Sequence, residues 1–121
     1  MPDFEAIAAR YIDSWNERDA HARSTAVERV WAKDGRYTDP LGDSEGREAI
    51  ASTIADAQAQ FPGFVFRLVG PVDGHHNLCR FGWELGPEGA EAPIAGSDVA
   101  LVDTDGALKR VVGFLDRVPA A

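Results

Sequence analysis

Residues 94–116 read IAGSDVALVDTDGALKRVVGFLD, and the parsing of this stretch settles the class of the fold. Two apolar runs of strand length flank a DTDG turn, a placement in which aspartate and glycine favour a hairpin. Upstream, Phe64, Phe66 and Leu68 alternate with Val65, Arg67 and Val69, and HNLCRFGWEL (residues 76–85) is another strand-length run. PVDG (residues 71–74) and GPEGAEAP (residues 86–93) supply the breaks between them. The second half of the chain thus predicts a run of antiparallel strands. The last strand is apolar at both parities, with Val111, Gly113 and Leu115 on one side and Val112 and Phe114 on the other. A strand buried on both faces predicts helices over one side and a second copy of the chain over the other, a homodimer through the outer sheet face.

The first half has a different period. Phe4, Ile7, Ala8, Tyr11, Ile12 and Trp15 recur at helical spacing. Pro2 and Asp3 suit a first turn, where a missing amide costs nothing and a carboxylate meets the helix dipole. A second helix is expected over Ala22 to Ala32, with Val27, Val30 and Trp31 facing inward and Gly35 forming a left-handed cap. Arg36 to Asp39 reads as a short strand. Gly46 to about Gln60 reads as a third helix, with Ile50, Ile54, Ala57 and Phe61 in register and Pro62-Gly63 as its stop. The plan is α+β: three N-terminal helices against a curved antiparallel sheet of one short and four long strands, enclosing a pocket.

The bulk properties narrow the field. The 121 residues make one domain, residues 1–121, with 45% apolar and 26% charged side chains. Twelve basic against 20 acidic residues give a net charge of -8, which argues against a nucleic-acid partner. The lone Cys79 allows no internal disulfide and no cysteine-rich zinc site. The N-terminus lacks the basic start of a signal peptide, and no apolar run has the length of a membrane span. No membrane contact and a cytoplasmic location are expected. His75 and His76, being adjacent in a strand, are expected to point to opposite faces and so not to share a metal ion.

Three titratable side chains fall on surfaces that should otherwise be apolar. Tyr11 lies on the buried stripe of the first helix, Asp39 ends the short strand, and Asp98 interrupts the apolar parity of its own. A carboxyl on such a face stays protonated or acquires a partner. Each has an ordinary reading as well: Asp39 as a turn former before Pro40, Tyr11 as a core aromatic, Asp98 as a solvent-facing residue beside a bulge. Pro40 disfavours the helical region for Asp39 and holds it extended. A carboxylate desolvated in a cavity shared with Tyr11 and Asp98 favours catalysis; one that caps its own turn favours a binder. Trp15, Ile54, Phe61, Phe81, Trp83 and Val111 are the expected apolar walls. Strict alternation puts Arg80 on the face opposite Phe81 and Trp83, whereas a bulge at Gly82 brings it into the pocket, where it would select an oxygen-rich or anionic ligand.

RYIDSWNERD (residues 10–19), WAKDGRYTDPLG (31–42), GREAI (46–50) and the spacing of Gly96, Asp98 and GFLD up to Asp116 resemble the SnoaL-like group of the nuclear-transport-factor-2-like superfamily. The resemblance covers essentially the whole chain and implies an α+β cone with a deep pocket. Within that superfamily the ketosteroid isomerases also carry a tyrosine in the first helix, an aspartate before proline and an aspartate in a late strand. The resemblance therefore implies Asp39 as general base, with Tyr11 and a neutral Asp98 as donors to an enolate oxygen. It implies an isomerase or cyclase acting without metal or organic cofactor on a hydrophobic, carbonyl-bearing ligand. Ile54 departs from it, standing where a supporting pocket aromatic is expected. The same scaffold also serves as a non-catalytic binding or interaction module, the alternative reading.

Overall fold

The computed structural model describes residues 2–119. Helix α1 (Phe4–Asn16) begins where Asp3 Oδ1 accepts from the Ala6 N–H at 3.1 Å, and α2 (Ala20–Val30) begins with the same device at Asp19. Strand β1 (Trp31–Asp39) follows without a linker, turns into β2 (Gly42–Glu45), and leads to α3 (Arg47–Gln60). The remainder is β3 (Phe64–His75), β4 (Leu78–Pro87), β5 (Ile94–Val102) and β6 (Leu108–Arg117). Three helices packed on one curved, unclosed sheet form the α+β cone expected.

The sheet runs β2-β1-β6-β5-β4-β3. It differs from the expectation in two details. The segment after Pro40 folds back as β2, so the sheet is 6-stranded. In addition, β1 lies parallel to β6 while the other pairs are antiparallel. The parallel pair joins the first strand to the last, a contact between residues far apart in sequence that no local pattern announces. Register shifts in β1 between Trp31 and Arg36, and in β3 between Val69 and Asp73, bend the sheet around the helices.

The second helix stops earlier than expected, at Val30. Trp31 is already extended and fully buried, paired with Leu108 of β6. Burial of a large aromatic in the sheet outweighs continuation of a helix whose end is β-branched. The left-handed cap expected at Gly35 is not formed. Gly35 lies inside β1, where the absence of a side chain admits the Trp31 ring against its backbone. The α1 stripe of Phe4, Ile7, Tyr11, Ile12 and Trp15 packs with Val27, Ile50 and Ile54 onto the inner sheet face.

Candidate functional site

Tyr11, Trp15, Tyr37, Asp39, Phe61, Phe66, Trp83 and Asp98 surround one cavity of about 240 Å³, between the helices and the inner face of the sheet. Its wall is apolar and aromatic apart from the carboxyls and phenols. Leu41 and Val118, 76% and 57% exposed, stand on its lining and mark the mouth. Among the described lining residues there is no lysine or arginine.

The strands set the polar groups by parity. Asp98 sits in mid-β5, opposite Phe81 on β4 and Gly113 on β6. Tyr37 and Asp39 are two apart on β1 and so share a face. They meet Asp98 over Gly113: a Cβ on that glycine would lie 2.7 Å from Asp98 Oδ1, 3.5 Å from Asp39 Cβ and 3.6 Å from Tyr37 Oη. The missing side chain of Gly113 is the space in which the three groups face one another.

The two carboxyls differ sharply. Asp39 is half-buried and both its oxygens are engaged, Oδ1 accepting from the Leu41 N–H at 2.8 Å and Oδ2 from the Tyr37 hydroxyl at 2.6 Å. Asp98 is 2% exposed, and among the described residues no donor hydrogen-bonds its Oδ1. Burial raises the Asp98 carboxyl to about 7; the Trp83 indole N–H and the Tyr11 hydroxyl oppose the rise, and the charges of Asp39 and Asp116 add to it. Tyr11 is pushed well above the usual phenol range, by burial first and then by the charge of Asp98. Burial and the Asp98 charge likewise raise Tyr37, and its hydrogen bond to Asp39 adds to the effect. Both phenols therefore stay protonated at neutral pH and act as donors.

Tyr11, Asp39, Asp98, Trp15, Phe61 and Trp83 all stand on the cavity wall. Four other expected wall residues do not. Ile54 and Val111 are 0% exposed and Phe81 4%, packed in the core behind the lining, with the Phe81 ring 5.6 Å from that of Tyr11. Arg80 is on the opposite, outer face, with its guanidinium 3.2 Å from Asp73 and its side chain 75% exposed. The β4–β5 register is continuous through Gly82, so no bulge turns Arg80 inward. Sequence reasoning passed over Tyr37 and Phe66. The two-residue period exposes Tyr37: if Asp39 faces a cavity, the residue two before it does too.

His75 and His76 do not point apart. His76 takes a left-handed φ of 50° at the β3–β4 turn, and their Nδ1 atoms stand 3.0 Å apart. Among the described residues no three or more His, Cys, Asp or Glu gather as a metal site, and no helix is long and apolar enough to cross a membrane.

An α+β cone with an aromatic cavity on the inner sheet face defines a class of small pocket-bearing domains. Within it, the chain belongs to the SnoaL-like domain family, whose model matches residues 8–111. A crystal structure from Agrobacterium tumefaciens strain C58, given provisionally as an isomerase of the SnoaL-like family, is 42% identical, with 93% of this chain and 97% of that one covered and a TM-score of 0.89. A protein from Sinorhizobium meliloti, given provisionally as a polyketide cyclase, shares the fold at 18% identity, covering 93% and 94% with a TM-score of 0.71. A SnoaL-like protein of unknown function from Burkholderia thailandensis does so at 14%, covering 93% of each chain with a TM-score of 0.72. No curated protein matches the sequence.

Proposed function

We propose that the cavity binds a compact, uncharged, carbonyl-bearing compound and that the protein moves a proton on the carbon beside that carbonyl, as an isomerase or cyclase. The observation that carries this reading is the pair of carboxyls, Asp39 and Asp98, facing one space with two protonated phenols on an otherwise apolar wall. A carboxylate takes the proton and a phenol donates to the oxygen on which charge develops. Proton transfer of this kind calls for neither a metal nor an organic cofactor. The similarity to a protein provisionally given as an isomerase is in keeping with it. The volume of about 240 Å³ is below the roughly 300 Å³ at which drug-sized pockets begin. It suits one or two rings; a larger skeleton would extend past Leu41 and Val118.

The test is the exchange of α-hydrogens of β-tetralone for solvent deuterium, together with isomerisation of a one-ring β,γ-unsaturated ketone. The wild type should accelerate both. A D39N/D98N double variant should lose at least about 100-fold, the lower range of general acid–base contributions. No acceleration by the wild type would leave the alternative, a binding module of the same fold. The hydrogen bond by which Asp39 caps its own turn favours that alternative.

A further inference from the structure

We infer that Asp98, and not Asp39, is the carboxyl that exchanges a proton with the bound substrate. The inference rests on the carbonyl-ligand reading and assigns the roles inside that site.

Asp39 uses one oxygen to close its own turn on the Leu41 N–H and the other to receive the Tyr37 hydroxyl at 2.6 Å. Both oxygens of Asp39 are therefore occupied as acceptors. A substrate proton reaching Asp39 must displace or share one of them. Asp98 Oδ1 is buried and without a hydrogen-bond donor among the described residues. Such an atom is costly to keep in an apolar wall, and a bound C–H acid is the partner it lacks.

Placement agrees. Asp98 is held in mid-strand between β4 and β6, and the Gly113 beside it leaves Oδ1 unobstructed. Asp39 is the last residue of β1, at the turn that carries the exposed Leu41. The deep position is the one that excludes water, where a carboxylate is most basic.

The electrostatic surroundings support the same assignment. Asp98 is faced by Tyr11 from α1, Tyr37 and Asp39 from β1, Trp83 from β4 and Asp116 from β6. Burial with two nearby carboxylates brings it to about 7. A group titrating there can both accept and return a proton at neutral pH.

The step balances within the site. Asp98 Oδ1 takes the α-proton, and the electron pair of the broken C–H bond forms the C=C bond of an enolate. The carbonyl π electrons move to oxygen, which accepts a hydrogen bond from the Tyr11 hydroxyl. The Asp98 carboxyl then returns the proton to the γ-carbon or, in exchange, a solvent deuteron to the α-carbon. Asp39 takes no proton in this step; it positions Tyr37 and raises the Asp98 carboxyl through its charge.

The experiment compares D98N with D39N in the deuterium exchange of β-tetralone, and follows the carboxyl-carbon NMR signals of wild-type protein labelled at aspartate. We expect D98N to lose at least about 100-fold and D39N less than about tenfold. In the wild type the Asp98 signal should titrate near neutrality and shift when β-naphthol, an enolate mimic, is added. Loss confined to D39N, or a naphthol response at Asp39 with none at Asp98, overturns the assignment. If the wild type exchanges nothing, the proposed reaction falls, and the NMR signals still decide which carboxyl engages a ligand oxygen or proton. The same signals decide the matter if D98N does not fold.

Discussion

Asp98, the proposed proton-exchanging group, also bears on the stability of the protein. Its carboxyl lies near 3.8 in ordinary surroundings and about 7 in the fold. Between those values the unfolded chain has released a proton that the folded chain retains, so its contribution to stability is complete below about 4 and is lost as the pH rises through 7. A shift of this size corresponds to on the order of 4 kcal/mol. Thermal melts should therefore show the wild type losing stability from pH 5 to pH 8 more steeply than D98N; parallel profiles would mean that Asp98 titrates normally. Gly113 is the second critical residue. A methyl group there would press on Asp98 Oδ1 at 2.7 Å, and overpacking of this kind costs about 1–3 kcal/mol. Gly113→Ala should lower the unfolding free energy measured in urea by that amount and lower the proposed exchange rate as well. A fully stable, fully active variant would show that the wall yields.

At the scale of elements, the decisive contacts are those that seat helices on the sheet edge. β3 is an edge strand, and its free backbone groups are covered by the end of α1. Asn16 donates to the Phe66 carbonyl at 2.9 Å and accepts from the Phe66 N–H at 2.8 Å, while Arg18 donates to the Phe64 carbonyl at 2.9 Å. One asparagine thus takes the place of a neighbouring strand and blunts the edge. Because Phe66 and Trp15 both line the cavity, the same contact fixes the cavity's side wall. Asn16→Ala leaves a part-buried N–H and carbonyl without partners, which should cost about 1–3 kcal/mol; equilibrium urea unfolding with an unchanged slope would measure it. Arg47 plays a related part, donating to the Trp31 carbonyl at 2.8 Å and tying α3 to the junction of α2 and β1. None of these pairings is visible locally, since Asn16 and Phe66 are 50 residues apart.

For the molecule as a whole, the outer sheet face exposes apolar side chains. Val69, Val99 and Phe114 are 37%, 42% and 55% exposed, and the nearby charges Arg80–Asp73 and Arg67–Glu84 are already paired within the chain. We propose that this partly apolar face is where two copies meet, as the two-sided apolar pattern of the last strand suggests. Sedimentation at micromolar concentration should give a dimer that Phe114→Glu converts to monomer. A wild-type monomer would refute it.

The sequence by itself determined the class of fold, because hydrophobic period and turn residues are local properties: the α1 stripe, the strand alternation after Pro62-Gly63 and the DTDG hairpin are all readable in windows of about ten residues. It also picked out Tyr11, Asp39 and Asp98, since a polar group on an apolar face stands out against its neighbours. Tertiary structure alone decided how those groups relate. The parallel pairing of β1 with β6 brings Tyr37 and Asp39 over Gly113 and against Asp98. The unbroken β4–β5 register sends Arg80 outward, and Ile54, Phe81 and Val111 fall one layer behind the wall. Which carboxyl has a free oxygen depends on distances between strands far apart in the chain, and a local pattern carries no information about such distances.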